Sequence, residues 1–316
     1  MLRLLLLLVL FAGCSGRETP AHLPAQAAVL QTEPTHDTDA QSGAAGTRFA
    51  GSHAHAPTDS TEQRFHELMA WAVQQGLPDR PIAEIMAALG PRFLGAPYVV
   101  GPLDGFGHEV VVARLDAFDC FTFVEALLSM ARGLRSGDLS WEGYLRRTEE
   151  QRYRHGKADA YCDRLHYFTE WIQVNEERGL VEDVSAEVGG MPFPKEIGFM
   201  SAHRSAYPAL EDDQVYACVQ EAEASLRQTL TLHFIPQEEI RQHYDRIRTG
   251  DIVSTAAGLE GLDVTHTGIA LKQPDGRVSL LHASTSGGVK ISEDLADYVQ
   301  GVRVQQGILV ARPADG

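Results

Sequence analysis

Phe118-Asp119-Cys120-Phe121-Thr122-Phe123-Val124-Glu125 is the stretch on which the reading of the fold turns. A cysteine opens an apolar run. Phe121, Val124, Leu127, Leu128 and Ala131 recur at the period of a buried helical face. Asp119 stands where an N-cap belongs. Cys120 then falls in the first turn, where exposed backbone N–H groups and the helix dipole favour an anion. A helix N-terminus is one of the settings that lowers a thiol pKa, and the thiolate is the reactive form. The stretch therefore predicts a nucleophile at Cys120. The competing reading of a lone cysteine on an apolar helix is a small buried hydrophobe.

Downstream, the chain is helical in pattern before it turns to strands. Trp141–His155, Asp159–Arg178, Asp212–Thr229 and Pro236–Arg246 read as helices. Gly179–Leu210 reads as a long irregular stretch, of the kind that is functional or covers something. From Gly250 the pattern is that of strands: Asp251–Val253, Thr265–Leu271, Val278–Ala283, Val289–Ile291 and Ile308–Val310. Asp275-Gly276 is a hairpin-turn signal. It places His266 and His282 on adjacent strands, where both can face one side. A thiol, a histidine to pair with it and a third polar group orienting that histidine make an acyl-transfer constellation, provided that side meets the Cys120 helix. Each histidine alone reads more often as an ordinary core or surface strand residue than as a catalyst. Helices followed by an antiparallel meander argue α+β.

Upstream, Phe93–Gly101 breaks into an aromatic, β-branched segment, and Thr61–Leu89 reads as two helices, the second starting after Pro81. Residues 14–60 are rich in Ala, Thr, Gly, Ser and Pro and read as a flexible tether. Its scattered histidines are solvated linker residues on this reading. Met1–Cys14 reads MLRLLLLLVLFAGC. One arginine precedes an apolar core too short for a permanent span. The segment resembles a bacterial lipoprotein signal with the lipobox Phe11-Ala12-Gly13-Cys14. That resemblance implies removal of residues 1–13, lipidation of Cys14, and a lipid-anchored envelope protein facing the periplasm. Several acyl chains give the multiple anchors that stable attachment needs.

The chain has 316 residues, 44% of them hydrophobic, and a formal net charge of −16. One large domain over residues 61–316 fits that length and composition. With no basic stripe, nucleic-acid binding is not expected. The four cysteines, Cys14, Cys120, Cys162 and Cys218, have no CxxC spacing, and no metal or cofactor is expected. Export permits a Cys162–Cys218 disulfide, and two buried free thiols fit the sequence as well. Oligomeric state leaves no mark in the sequence.

In order, the chain supplies Gly95-Ala96-Pro97-Tyr98, Asp119-Cys120, Gly250-Asp251-Ile252-Val253, His266-Thr267-Gly268-Ile269 and Leu281-His282-Ala283-Ser284. This series resembles the NlpC-type, papain-like cell-wall cysteine peptidase clan. The residues after Cys120 depart from the clan's common Ser-Gly. With Arg164-Leu165-His166-Tyr167-Phe168-Thr169-Glu170-Trp171-Ile172 and Phe199-Met200-Ser201, they are similar to its N-acetylmuramoyl-L-alanine-amidase-like branch.

The resemblance implies a papain-like fold, with N-terminal helices packed on a C-terminal antiparallel sheet. It implies a cysteine hydrolase cleaving an amide of the peptidoglycan stem peptide, either the lactyl–L-Ala amide or the γ-D-Glu–diamino acid bond. Cys120 would attack, His266 would pair with it, and His282 would orient His266. The Cys120 backbone N–H would contribute to the oxyanion site. Tyr98 would line the cleft, or be a core-edge aromatic. Arg164 and His166 would grip a substrate carboxylate, or Arg164 would form a buried ion pair with Glu125. Two other readings stand beside this one: a non-catalytic muropeptide-binding lipoprotein, and a thioester-forming acyl or amide transferase.

Overall fold

A computed structural model of the chain describes residues 59–106 and 108–315. The signal segment, Cys14 and the tether up to residue 58 lie outside the described residues.

Two helices open the described chain, α1 (Asp59–Gln74) and α2 (Ile82–Leu89). Then comes α3 (Cys120–Ser136). Its buried positions run nearly all the way round, from Phe123, Val124 and Ala126 to Leu134, while Phe121 is only half-buried. The expected stripe is therefore too narrow. A helix apolar on most sides belongs at the centre of a core, and α3 lies between other helices and the sheet. Its polar residues are matched inside that core by α4 (Trp141–Arg152). Arg152 pairs with Glu125 at 2.7 Å, and Ser129 Oγ meets Thr148 Oγ1 at 2.9 Å. Gln151 Nε2 donates to the Glu125 carbonyl at 2.9 Å.

The helix expected over Asp159–Arg178 is confined to α5 (Phe168–Glu177). Tyr161–Asp163 is a 3-10 turn, and Arg164 bridges Tyr153 in antiparallel fashion. The backbone there is committed elsewhere, with Arg154 N–H on the Asp163 carbonyl and Leu165 N–H on that of Arg152. The 179–210 stretch is irregular as expected, holding short pieces: β1 (Val181–Asp183), α6 (Ser185–Val188), β2 (Met191–Pro192), α7 (Phe199–Ala202) and 3-10 turns at Arg204–Ala206 and Pro208–Glu211. Next is α8 (Asp213–Thr229), capped by Asp212. Cys162 and Cys218 are joined as a disulfide, tying α8 to the turn before α5. The helix expected over Pro236–Arg246 is absent. β3 (His233–Pro236) takes its start, because Ile235 pairs with Ile308, and only Ile240–His243 turns as 3-10.

Then follow β4 (Ile252–Ala257), β5 (Val264–Lys272), β6 (Val278–Ser284), β7 (Gly288–Ser292), α9 (Leu295–Gln300) and β8 (Gln305–Pro313). The sheet has eight strands in the order β2-β3-β8-β4-β5-β6-β7, with β1 also on β8. The meander is real from β4 to β7, but β8 returns to pair with β4. All pairings are antiparallel. The architecture is α+β.

Alternation gives the sheet two different faces. Ile269, Leu281, Ala283 and Val289 join the core that contains α3. Val253, Ala270, Leu280, Ile308 and Val310 join a second core with Leu295, Ala296 and Val299 of α9.

Candidate active site

Asp119 caps α3 as the sequence predicts. Its Oδ1 accepts from Thr122 N and from Thr122 Oγ1, both at 2.7 Å, and Thr122 Oγ1 accepts from Asp119 N at 3.1 Å. The reciprocal box fixes Cys120 as the first helical residue. The Cys120 thiol is buried, and the Thr267 backbone N–H faces it from β5. Thr267 directly follows His266. Burial, then the Asp119 carboxylate, push the thiol up to about 12, against the opposing pull of N–H groups from Thr267, Cys120 and Phe121. The expectation of a thiol made acidic by the helix start is therefore corrected. Desolvation of a thiolate costs more than the helix N-terminus returns here.

His266 and His282 are joined directly. His266 Nε2 lies 2.6 Å from His282 Nδ1, and His282 Nε2 lies 2.9 Å from Ser292 Oγ on β7. Both imidazoles leave the sheet on the α9 face, whereas Leu281 points toward Leu127 of α3. The expectation that one sheet face meets both the histidines and the body of α3 is thus also corrected. The body of α3 packs on the opposite face, against Ile269 and Leu281, and at its start Cys120 meets the Thr267 N–H of β5. The β5–β6 ladder runs from Lys272↔Val278 to Ile269↔Leu281 and stops there. Gly268 stands opposite His282 beyond that end. A Cβ on Gly268 would lie 2.7 Å from the Leu281 carbonyl and 2.9 Å from His282 Cβ. Glycine in His-x-Gly-Ile is what lets the two strands bring the imidazoles together.

Burial pushes His266 down to about 3 and His282 down to about 2. Lys290 lowers both further, and His282 also feels His266. At neutral pH the pair is uncharged, and its hydrogen bonds then have direction. If His266 Nε2–H donates to His282 Nδ1, His282 Nε2–H donates to Ser292 Oγ, and His266 Nδ1 is left as a proton acceptor.

Tyr298 of α9 completes the cluster and has no sequence signal. Its ring lies 4.8 Å from that of His282 and 5.7 Å from that of His266. Burial raises its hydroxyl pKa, Cys120 adding to the shift and Gln305 opposing it. Ser292 was likewise not legible, since only the β6–β7 register brings it to His282.

The Gly95–Tyr98 segment is a strap. Gly95 N–H donates to Val289 O and Val289 N–H to Ala96 O, both at 2.8 Å. Val99 N–H and Phe118 N–H then bond across to the Phe118 and Pro97 carbonyls, two residues before Cys120. A side chain on Gly288, whose φ is +72°, would collide with the Ala96 carbonyl. Tyr98 is half-buried against the α3 core. Asp251 is structural, holding Arg312 with both carboxylate oxygens at 2.9 Å.

Arg164 and His166 are not poised for a carboxylate. Arg164 donates to Glu109 Oε2 at 3.0 Å, to Asp104 Oδ1 at 2.8 Å and to the Leu103 carbonyl at 2.7 Å. Its ion pairs are thus with Glu109 and Asp104, while Glu125 takes Arg152. His166 Nε2 donates to the Tyr161 carbonyl at 2.9 Å, and burial, then Arg164, hold its pKa down to about 3. A neutral ring brings no positive charge. Among the described residues, no group of three or more His, Cys, Asp or Glu side chains is placed to hold a metal ion.

A family described as AmiA-like, N-acetylmuramoyl-L-alanine amidase-like, matches residues 88–308. The chain belongs to this amidase-like family. A solved N-acetylmuramoyl-L-alanine amidase from Bacteroides uniformis is 30% identical to this amidase-like chain. It covers 73% of this chain and 98% of its own, with a TM-score of 0.69. A Bacteroides fragilis structure described as a xylanase candidate is 32% identical over 71% of this chain and 98% of its own, with a TM-score of 0.66. A Legionella pneumophila protein shares the fold at 20% identity, with a TM-score of 0.59 over 80% and 94% of the two chains. No curated protein matches this amidase-like chain.

Proposed function

We propose that this chain is a cysteine hydrolase that cleaves an amide of the peptidoglycan stem peptide, with the NlpC-type, papain-like arrangement of groups. The observation that carries the reading is the His266–His282–Ser292 chain, whose neighbour in sequence, Thr267, turns its N–H to the helix-start Cys120, in a member of an amidase-like family. The name of the family and of the Bacteroides uniformis neighbour favours the lactyl–L-Ala amide over the γ-D-Glu–diamino acid bond. Glycosidase chemistry fits less well. It asks for two carboxylates flanking the scissile bond, and Asp119, the carboxylate beside Cys120, is taken up as the N-cap.

The neutral resting site sets the order of events. Cys120 Sγ–H passes its proton to His266 Nδ1 as sulfur attacks the amide carbonyl carbon. The Cys120 backbone N–H stabilises the oxyanion. His266 returns the proton to the departing nitrogen as the C–N bond breaks, leaving a thioester. Water, deprotonated by His266, then releases the acid and regenerates the thiol. His282 and Ser292 hold the His266 tautomer throughout.

The signal segment supports attachment through a lipidated Cys14, facing the periplasm. Labelled fatty acid incorporated by the full chain and lost in Cys14→Ser would bear that out, and incorporation unchanged by Cys14→Ser would overturn it.

The high thiol pKa favours one competitor, a muropeptide-binding protein without catalysis. Incubation with muropeptides and mass analysis of the products separates the readings. Cleavage by the wild type that Cys120→Ala abolishes is expected. Binding without cleavage, or full cleavage by Cys120→Ala, sinks the hydrolase. A product that appears only with an added amine acceptor identifies a transferase.

A further inference from the structure

The chain carries a net charge of −16, and the arginines around its motifs are paired. Arg164 is held by Glu109 and Asp104, Arg152 by Glu125, and Arg312 by Asp251. Lys290 is different. It stands opposite His282 in the β6–β7 register, so its side chain leaves the sheet on the face that carries both imidazoles. Its Nζ donates to Ser286 Oγ at 2.9 Å and to the Ser286 carbonyl at 3.1 Å, both uncharged acceptors in an exposed turn. Ser286 Oγ lies 3.2 Å from Ser284 Oγ. Ser284 is two residues beyond His282 and therefore on the same face. Among the described residues, no Asp or Glu carboxylate pairs with Lys290. Its charge acts instead on both neighbouring histidines. An acidic protein offers an anion no long-range attraction, so an anionic substrate has to be held by local cations.

We propose that Lys290, with the hydroxyls of Ser284 and Ser286, forms a carboxylate-binding rim beside the imidazole pair, selecting amide substrates that carry a free carboxylate close to the scissile bond. The inference rests on the hydrolase reading and deepens it by naming the substrate class. The ammonium supplies charge and the hydroxyls supply further donors, and no covalent bond changes at the rim. A carboxylate seated there also offsets the field of Lys290 on His266. Protonation of that ring during attack then becomes easier when the right substrate is in place. The groups facing the ring on this side are Lys290, His282 and Tyr298, with Cys120 beyond Thr267.

The test has two arms. In the first, kcat and KM are measured on a muropeptide with free stem carboxylates and on the same muropeptide with those carboxylates amidated. The wild type is expected to prefer the free acid by about tenfold or more, the scale of a charge-assisted hydrogen bond. Lys290→Met loses that preference chiefly through KM, and Lys290→Arg keeps it. An undiminished preference in Lys290→Met overturns the rim.

In the second arm, calorimetry measures binding of the free-acid muropeptide to Cys120→Ala, with and without Lys290→Met. About tenfold weaker binding in the double variant supports the rim, and equal dissociation constants overturn it. Failure of the hydrolase reading is distinguishable, because it shows as an uncleaved substrate in the first arm while the second arm still reports on Lys290.

Discussion

At Cys120, burial and an adjacent carboxylate outweigh a helix dipole equivalent to roughly half a charge. The histidines carry the complementary problem, since both are held neutral by burial. On the proposed hydrolase reading, proton transfer belongs to the attack step, and the two rings have unequal tasks. His266→Ala should lose activity by about a thousandfold, within the usual range for general acid–base catalysis. His282→Gln, which can still accept from His266, should retain partial activity. Equal total losses in steady-state assays would contradict the orienting role.

Tyr298 walls off both rings. Tyr298→Phe should leave the pH profile nearly unchanged. Tyr298→Leu should admit water, raise the imidazole pKa, and move the acid limb of kcat/KM to higher pH. An unmoved limb would deny the tyrosine that part. Besides each other and Tyr298, the groups that act on these rings are Lys290 and Ser292 from β7, and both variants leave them in place. The helix start at Cys120 and the meeting of His266 with His282 were legible because the Asp119 cap and the Asp275-Gly276 turn constrain them. The fate of Arg164 was not, because Glu109 and Asp104 are distant in sequence and nothing local announces the pairing.

At the scale of elements, α3 is held to α4 by a salt bridge almost without solvent. The Glu125 side chain is 0% exposed and that of Arg152 3%. Arg152 also donates to the Val112 carbonyl at 2.5 Å. Glu125→Gln should leave a buried guanidinium without its counter-charge and cost about 3 kcal/mol or more in urea unfolding. A cost under about 1 kcal/mol would show that Arg152 finds other partners. Helix starts were readable from caps, as at Asp119 and Asp212, and the β4–β7 meander from its turns. The return of β8 beside β4 was not, since strand order depends on long-range pairing. The helix over-read at Asp159–Arg178 failed for the same reason, its first half being claimed by backbone bonds to Tyr153 and its neighbours.

For the whole molecule, the neutral imidazoles make stability depend on pH with a definite sign. His266 binds a proton near 6.5 when unfolded and near 3 when folded. The unfolded state holds more protons between those values, so stability is complete above about pH 6.5 and declines as pH falls toward 3. Between pH 7 and pH 5 the loss should be on the order of 2 kcal/mol for this one histidine. His282 and His166 add the same kind of dependence, so His266→Gln should lessen the slope of urea midpoints over that interval, and an equally steep dependence in the variant would refute the assignment.

The disulfide has a different consequence at this scale. Cys162 and Cys218 are bridged across 56 residues of chain, and Cys120 is the one free cysteine among the described residues. Scrambling a bridge takes a thiolate that can reach it. Sealed beneath protein and kept protonated, the third sulfur is a poor intruder. Once the chain is folded, the burial that keeps this thiol protonated also shields the Cys162–Cys218 bridge from exchange.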